Sequence, residues 1–200
     1  MFTGLVKETG NIKSIKPLGN GLEMEINCSK KFAEDILIGD SINVNGVCST
    51  AIQKNTRSFT VQYLEETLLK TTMDEIKTND LVNLEPCLTL QTKLGGHLVS
   101  GHIDDTGTIE SYSKDGKWGV IIIKFNASFA PFIIPKGSIA IDGISLTVVD
   151  VTKTTLSCHL IPHTQSNTSL QNKLAGDLVN LEFDQVGKYL FRFHELEKQK

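Results

Sequence analysis

The sequence predicts an all-β protein: two tandem, homologous six-stranded antiparallel β-barrels followed by a C-terminal α-helix. Three observations lead to this prediction. The hexapeptide DLVNLE occurs at 80–85 and again at 177–182, a shift of 97 residues. Each copy contains about six short apolar segments separated by tight turns, which favours a small barrel because closure removes exposed sheet edges. After the second copy, residues 186–200 carry apolar side chains at helical spacing.

The 97-residue shift holds along most of the chain. MFTGLVKETGNI at 1–12 aligns with LVSGHIDDTGTI at 98–109, and SINVNGVCST at 41–50 aligns with SIAIDGISLT at 138–147. A register that stays constant over about 85 residues indicates duplication rather than a coincidental β-pattern.

The elements of each copy follow the same order. The dipeptides Asn45-Gly46 and Asp142-Gly143, flanked by alternating apolar residues, predict one β-hairpin per copy. Further strands are expected at 21–28, 58–64, 118–125 and 155–161. Short helical turns or loops are expected at 29–37, 65–73, 126–134 and 163–170.

The alignment divides the chain into a first barrel at 1–97, a second barrel at 98–185 and a C-terminal segment at 186–200. The last seven residues of the first part, QTKLGGH, form the linker. The C-terminal segment has one apolar face, formed by Val186, Tyr189, Leu190, Phe193 and Leu196. Because no domain is left to cover this face, association with a partner helix is favoured. The alternative is that the helix packs back on its own barrel.

Composition excludes several classes of function. The net charge is −3 without a basic stripe, so nucleic-acid binding is not expected. No apolar run reaches the roughly 18 residues of a membrane helix, and the N-terminus lacks the apolar region of a secretory signal. The four cysteines fit neither a zinc site nor a disulfide framework. We therefore expect a cytoplasmic protein with reduced, buried thiols at Cys28, Cys48, Cys87 and Cys158.

Four motifs occur in order along the chain: MFTG at 1–4, NGVCST at 45–50, GGHLVSGHI at 95–103 and IDGISLTVV at 141–149. Together they resemble the signatures of the riboflavin synthase family, over essentially all 200 residues. The resemblance implies a transferase that converts two molecules of 6,7-dimethyl-8-ribityllumazine into riboflavin and 5-amino-6-(D-ribitylamino)uracil. One lumazine donates a four-carbon unit to the other, in the last step of riboflavin biosynthesis.

The resemblance also implies a homotrimer that needs no metal and no organic cofactor. Each active site would form between the first barrel of one subunit and the second barrel of a neighbour, with the C-terminal helix at the trimer centre. Lumazine synthase is a further candidate partner.

Two other functions compete with the enzyme. One is a non-catalytic lumazine- or flavin-binding fluorescent protein of the same superfamily, which would keep both barrels and lack parts of the catalytic set. The presence of Thr3, Cys48, His97 and His102 favours the enzyme. Because His97 lies in the linker, a structural role is its alternative interpretation. The other is a generic tandem-barrel carrier, which the amphipathic C-terminal segment fits less well.

The reaction treats two identical substrates differently, so the repeat should be broken at catalytic positions. Paired sites would also hold both reactants in attack geometry, an effect worth roughly 7–11 kcal/mol in well-oriented reactions. Under the 97-residue shift, His102 aligns with Leu5, Cys48 with Ser145, Lys136 with Gly39, Asp184 with Cys87, and Phe2-Thr3 with Val99-Ser100.

By resemblance, the catalytic residues are Phe2, Thr3, Ser41, Cys48, His102 and Asp184. An imidazole titrates near neutral pH, so His102 suits removal of a proton from the lumazine 7-methyl group, the alternative being a structural histidine. Cys48 could add to the electrophilic C7, orient the ring, or be a small buried side chain. Ser145 could hydrogen-bond the substrate or position a nucleophilic water. Phe2 would stack on or seal the site, and Thr3 would hydrogen-bond the substrate.

Threonines predict further substrate contacts. Thr50 and Thr147 follow Cys48 and Ser145 by two residues, so they share a strand face and can bond the pteridine edge. By resemblance, Lys136 is donated across the subunit interface, and Thr67 and Thr164 contact the ribityl chain. The substrate-binding set is Gly4, Leu5, Val6, Cys48, Ser49, Thr50, Gln62, Tyr63, Leu64, Glu65, Glu66, Thr67, Gly101, His102, Ile103, Lys136, Ser145, Leu146, Thr147, His159, Leu160, Ile161, Pro162, His163 and Thr164.

A few positions depart from the family pattern. The first copy reads GVCSTAI where the family usually reads closer to GVCLTV, so Ser49 replaces an apolar residue and Ala51 a larger one. His163 stands where an acidic residue is common. We expect these changes to affect pocket contacts rather than the fold. Because Pro162 separates His159 from His163, we expect no metal site there.

Overall fold

The computed structural model describes residues 1–113 and 118–198. The first copy contains β1 (Glu8–Leu18), β2 (Gly21–Asn27), α1 (Lys30–Asp35), β3 (Ser41–Val44), β4 (Val47–Thr50), β5 (Gln53–Lys54), β6 (Ser58–Tyr63), α2 (Glu65–Lys70) and β7 (Leu81–Pro86). The second contains β8 (Asp105–Ser113), β9 (Gly119–Lys124), β10 (Ser138–Ile141), β11 (Ile144–Val151), β12 (Thr155–Leu160), α3 (Pro162–Ser166) and β13 (Leu178–Phe183). Helix α4 (Gln185–Lys198) follows. Short 3₁₀ turns lie at Thr72–Asp74, Ala127–Phe132 and Ser169–Gln171.

The second copy is a closed six-stranded barrel in the order β10-β11-β12-β9-β8-β13. The first copy is a seven-stranded sheet in the order β4-β3-β7-β1-β2-β6-β5. Its outer strands β4 and β5 are two pieces of residues 47–54, whose counterpart at 144–151 is the unbroken β11. The Ile52 N–H donates to the Thr60 carbonyl at 2.9 Å, so the broken strand still lies beside β6. The predicted all-β tandem architecture is confirmed, with one strand of the first copy interrupted.

Bulges bend the long strands at equivalent places. The pairing of β1 with β2 shifts between Ile12 and Ser14, and that of β8 with β9 shifts between Ile109 and Ser111. A bulge increases local twist and bend, so each of these strands can pair with two neighbours around a barrel. Both positions coincide under the 97-residue shift.

Both predicted hairpins form. Asn45 and Gly46 have φ of 47° and 90°, and Asp142 and Gly143 have φ of 46° and 77°. Positive φ at both central residues is the type I′ turn that fits the twist of a two-residue hairpin. A Cβ on Gly46 would lie 2.9 Å from the Gly143 nitrogen, so the two hairpin tips meet and leave no room for a side chain.

Each barrel has its own core. Buried residues of the first include Ile12, Met24, Ile26 and Leu84, and their counterparts in the second are Ile109, Ile121, Ile123 and Leu181. A third, small cluster contains Phe2, Val99 and Ala140, with Cys48 and Cys87 packed against it. All four cysteines are free thiols, but only Cys158 is fully buried.

Helix α4 begins one residue before the predicted segment, and residues 199 and 200 lie outside the described residues. The ring of Phe191 meets Phe132 edge-to-face at 5.1 Å, and the Lys188 ammonium donates to Asp104 at 2.8 Å. The helix therefore contacts its own barrel along one edge. The predicted apolar face stays exposed, at 41–65% of each side chain's area, in Val186, Tyr189, Leu190, Phe193 and Leu196. Among the described residues, no helix has the length and apolarity to cross a membrane.

Candidate active site

The two copies meet through pairs of contacts that are equivalent under the repeat. Phe2 and Val99, which are equivalent under the repeat, form an antiparallel bridge. The Phe2 N–H donates to the Val99 carbonyl at 2.7 Å, and the reverse bond is 3.1 Å. The Leu88 N–H also donates to the Met1 carbonyl at 2.9 Å, so the N-terminus is fixed.

From this bridge, each copy sends a leading segment to the other barrel; we define these segments as residues 2–6 and 99–103. The Gly4 carbonyl accepts from the Ser145 N–H at 2.8 Å, and the Gly101 carbonyl accepts from the Cys48 N–H at 2.8 Å. A Cβ on Gly4 or Gly101 would lie 2.6 Å from the Cβ of Ser145 or Cys48. Both glycines have positive φ, so the conformation and the close approach each require glycine.

Two buried glutamates hold the leading segments. Glu85 accepts from the Thr3 N–H at 2.8 Å, from the Thr3 hydroxyl, and from the Gly4 N–H at 3.0 Å. Glu182 accepts from the Ser100 N–H at 2.6 Å, from its hydroxyl at 2.7 Å and from the Gly101 N–H at 2.8 Å. Burial raises the pKa of Glu85, and the bonds from Thr3 and Gly4 oppose that rise. Sequence reasoning missed both glutamates.

The asparagines of the repeated DLVNLE join the barrels. The Asn83 side chain donates to the Asp142 carbonyl at 2.9 Å, and that of Asn180 donates to the Asn45 carbonyl at 2.8 Å. The Asn83 side-chain oxygen also accepts from the Ser169 N–H at 2.7 Å. The identity of the hexapeptides was therefore a signal of an interface as well as of a repeat.

The candidate substrate residues of the first barrel form one cluster. They lie on β4, β6, the start of α2 and the second leading segment. Cys48 bonds to Gly101, as given above, and Ile103 packs against the first barrel's core. Ser41 pairs with Thr50 across β3 and β4. The cluster contains Cys48, Ser49, Thr50, Gln62, Tyr63, Leu64, Glu65, Glu66, Thr67, Gly101, His102 and Ile103.

The second-barrel residues form the equivalent cluster on β11, β12 and α3, completed by the first leading segment. Val6 packs against the second barrel's core. Val6 and His163 also line a cavity of about 410 Å³ beside this cluster. The cluster contains Gly4, Leu5, Val6, Ser145, Leu146, Thr147, His159, Leu160, Ile161, Pro162, His163 and Thr164.

Alternation along β4 explains the departure at Ser49. Cys48 is partly exposed and Thr50 exposed, whereas Ser49 faces the interior of the first barrel. The Ser49 hydroxyl lies 2.8 Å from the Tyr63 hydroxyl, and the equivalent residues in the second barrel are Leu146 and Leu160. A buried polar pair thus replaces a leucine pair. All four of these side chains are buried and face the cores of their barrels.

The two candidate histidines have different surroundings. The His102 side chain is exposed, and the backbone N–H of His102 donates to the Ser100 hydroxyl at 3.1 Å. His97 Nδ1 lies 2.7 Å from the Ser145 hydroxyl. Burial lowers the pKa of His97, and the negative charges of Asp184 and Glu182 oppose that change. A neutral His97 can therefore accept the Ser145 proton, a contact that its place in the linker did not predict.

The remaining candidates are placed as follows. Phe2 is buried, and a Cβ on Gly101 would lie 2.9 Å from its ring, so Phe2 lies under the second leading segment. Thr3 is buried against Glu85. The Lys136 side chain is exposed, and the backbone N–H of Lys136 donates to the Val148 carbonyl at 2.7 Å. Asp184 accepts from the Val186 N–H at 2.9 Å at the start of α4. Within the described ranges, no group of three or more His, Cys, Asp or Glu could hold a metal ion.

Known proteins share this organisation. Residues 3–86 and 100–184 each match the family model described as the lumazine binding domain. The chain is 43% identical over 193 residues to the riboflavin synthase of Actinobacillus pleuropneumoniae, covering 96% of this chain and 89% of the relative. It is 39% identical over 201 residues to that of Bacillus subtilis, covering 100% and 93%. The riboflavin synthase of Schizosaccharomyces pombe is 39% identical over 191 residues, covering 94% and 91%.

Solved structures share the fold. The structure of LumP complexed with riboflavin superposes with a TM-score of 0.87 at 22% identity, covering 92% of this chain and 100% of that one. LumP complexed with 6,7-dimethyl-8-(1'-D-ribityl) lumazine gives 0.83 at 22% identity, covering 91% and 98%. At this identity the likeness concerns the fold alone. The family match over both copies and the identity to full-length relatives establish that the chain belongs to the riboflavin synthase family.

Proposed function

We propose that this chain is a riboflavin synthase, which transfers a four-carbon unit between two molecules of 6,7-dimethyl-8-ribityllumazine to give riboflavin and 5-amino-6-(D-ribitylamino)uracil. The observation that carries the proposal is the junction of the two barrels. At this junction each barrel would offer an equivalent ligand site beside the other copy's leading segment, with different side chains at equivalent positions. Equivalent sites suit two identical substrates, and unequal side chains suit a donor and an acceptor.

The chemistry follows from the differences between the sites. The ligand on the first barrel would lie against Cys48, Thr50 and His102, with the exposed imidazole positioned to take or give the 7-methyl proton. The ligand on the second barrel would lie against Ser145 and Thr147, in place of Cys48 and Thr50. There His97 can accept the serine proton, so the Ser145 hydroxyl can act on the substrate or hold a water.

We further propose that three chains assemble so that a first barrel faces a neighbour's second barrel. The support is the exposed apolar face of α4, since uncovered faces of this kind usually bind another surface. In that assembly Lys136 would reach a ribityl oxygen across the interface, and Asp184, Phe2 and Thr3 would border the site. The proposal requires neither a metal nor an organic cofactor. We also propose that the protein is cytoplasmic and that it associates with lumazine synthase.

The test is conversion of the substrate by the purified protein. We expect 6,7-dimethyl-8-ribityllumazine to be consumed and riboflavin to appear, followed by absorbance and chromatography, with no added cofactor. A non-catalytic binding protein would change the fluorescence of the lumazine without forming riboflavin, and that result would contradict the enzyme.

A further inference from the structure

We propose that Glu182 is a positioning residue for His102, and that Glu85 has the equivalent part for the leading segment that carries Leu5. Each carboxylate would fix the segment that its own copy supplies to the other barrel's ligand site. The inference rests on the proposed role of His102 in proton transfer, and it adds residues that act through that histidine.

A short chain of hydrogen bonds joins Glu182 to His102. One carboxylate oxygen of Glu182 accepts from both the N–H and the hydroxyl of Ser100, at 2.6 and 2.7 Å. The other oxygen accepts from the Gly101 N–H at 2.8 Å. The Ser100 hydroxyl then accepts from the His102 N–H at 3.1 Å. Three consecutive residues are thereby held by one buried carboxylate.

The position of the His102 imidazole depends on this backbone. The side chain is exposed, and its ring makes no hydrogen bond within the residues that the structure describes. Gly101, immediately before it, has φ of 82°, a region that glycine enters without strain, so tertiary contacts rather than local backbone preference fix this segment. A displacement of about 1 Å at a reacting group can cost 10²-fold in rate.

The neighbouring strand positions show that linking the barrels does not require a charge. Asn83 and Asn180, two residues before the glutamates, join the barrels through neutral amides. Burying a carboxylate costs far more than burying an amide unless every lone pair is satisfied. A carboxylate offers two acceptor oxygens and no donor, which matches the three donors of Ser100 and Gly101. Glutamine would present its NH₂ group to one of those donors.

The two copies supply a matched control. Glu85 holds Thr3 and Gly4 in the same way, and the Thr3 hydroxyl accepts from the Leu5 N–H at 3.1 Å. Leu5 cannot transfer a proton. Loss of Glu85 should therefore disturb the second ligand site without acting through His102, whereas loss of Glu182 should act through His102.

The experiment compares steady-state turnover of the full-length protein carrying Glu182→Gln, Glu85→Gln, His102→Ala and each double variant with His102→Ala. We expect Glu182→Gln to lower kcat about 10-fold or more, while riboflavin affinity changes less than about 3-fold. In the His102→Ala background, Glu182→Gln should lower kcat by less than about 2-fold further, because the interaction is already lost. Glu85→Gln should keep its full effect in that background.

A second pair of variants covers the case in which Glu182→Gln fails to fold. Ser100→Ala removes the hydroxyl between Glu182 and His102 and should lower kcat, whereas Ser100→Thr, the residue of the first copy, should keep kcat within about 3-fold. If His102→Ala alone leaves kcat unchanged, the proposed role of His102 is wrong. The other outcome is that His102→Ala lowers kcat, but Glu182→Gln or Ser100→Ala lowers kcat by the same factor with and without His102. Such independent effects would overturn the positioning role.

Discussion

At the scale of single residues, Asp142 breaks the symmetry of the barrel junction. Its side-chain oxygen accepts from the Asn180 N–H at 2.8 Å, as that of Asn45 accepts from the Asn83 N–H at 2.7 Å. Asp142 is fully buried, and burial raises its pKa from 3.8 to about 6, although Lys173 at 3.9 Å opposes the rise. An ionisable group thus occupies a position where the other copy uses an amide.

This asymmetry gives a pH prediction. The folded chain binds more protons than the unfolded chain between the two pKa values of Asp142, so its contribution to the free energy of unfolding falls as pH rises from about 4 to about 6. We expect Asp142→Asn to be more stable than the unchanged protein at pH 7 by ~1–3 kcal/mol, with little difference below pH 4. Urea unfolding at both pH values measures this.

The reverse substitution provides the comparison. Asn45→Asp places a carboxylate at the equivalent position and should lower stability more at pH 7 than at pH 4. If Asp142→Asn and the unchanged protein show the same dependence of stability on pH, the buried carboxylate does not titrate in this range.

At the scale of elements, the two hairpin tips are packed against each other. A Cβ on Gly143 would lie 2.5 Å from the Asn43 side-chain oxygen and 2.8 Å from the Gly46 nitrogen, at a φ of 77°. Gly19 also has a positive φ, of 59°, but nothing lies within 4 Å of the equivalent Cβ. Substitutions at Gly143 and Gly19 therefore distinguish the cost of backbone strain from the cost of steric contact.

We expect Gly143→Ala to lower the free energy of unfolding by ~2–4 kcal/mol, the sum of left-handed strain and overpacking. Gly19→Ala should cost only the strain, ~1–2 kcal/mol. Chemical unfolding of both variants gives the comparison. Equal losses would mean that the hairpin tips move apart freely and that their contact does not fix the barrels.

At the scale of the whole molecule, α4 is attached to its own barrel by a few contacts and exposes the rest of its apolar surface. Deleting residues 187–200 removes the proposed trimer contact, and Phe193→Glu places a charge in its middle. We expect both changes to give monomers by analytical ultracentrifugation, with turnover at least about 10-fold lower, because each active site of the proposed trimer would need two subunits. His194→Glu adds the same charge at an exposed polar position and should keep the assembly and the activity. A fully active monomer would contradict the intersubunit site.

Much of the fold could be predicted from the sequence. The 97-residue register and the dipeptides Asn45-Gly46 and Asp142-Gly143 depend on local backbone preference and on pattern, so the tandem copies and their hairpins were predictable. The break between β4 and β5 was not, because the apolar pattern of 47–54 resembles that of the continuous β11.

The candidate site, too, could be predicted from the sequence only in part. The resemblance supplied two sets of candidate substrate residues, and the fold places the members of each set on neighbouring elements. The resemblance did not indicate that Ser49 faces the core toward Tyr63 or that His97 contacts Ser145. Nor did it indicate that Glu85 and Glu182 hold the leading segments. These contacts join residues far apart in the chain, so no local spacing encodes them.

The sequence by itself determined the duplication, the β-architecture, the amphipathic C-terminal helix and the positions where the copies differ, because each is written in periodicity or in residue identity. Only the tertiary structure showed that each copy's leading segment packs against the other barrel, beside the proposed ligand site. It also showed what the repeated hexapeptide does: Asn83 and Asn180 join the barrels, and Glu85 and Glu182 hold the leading segments. The reason is physical, since hydrogen bonds between distant segments exist only once both barrels have folded and met.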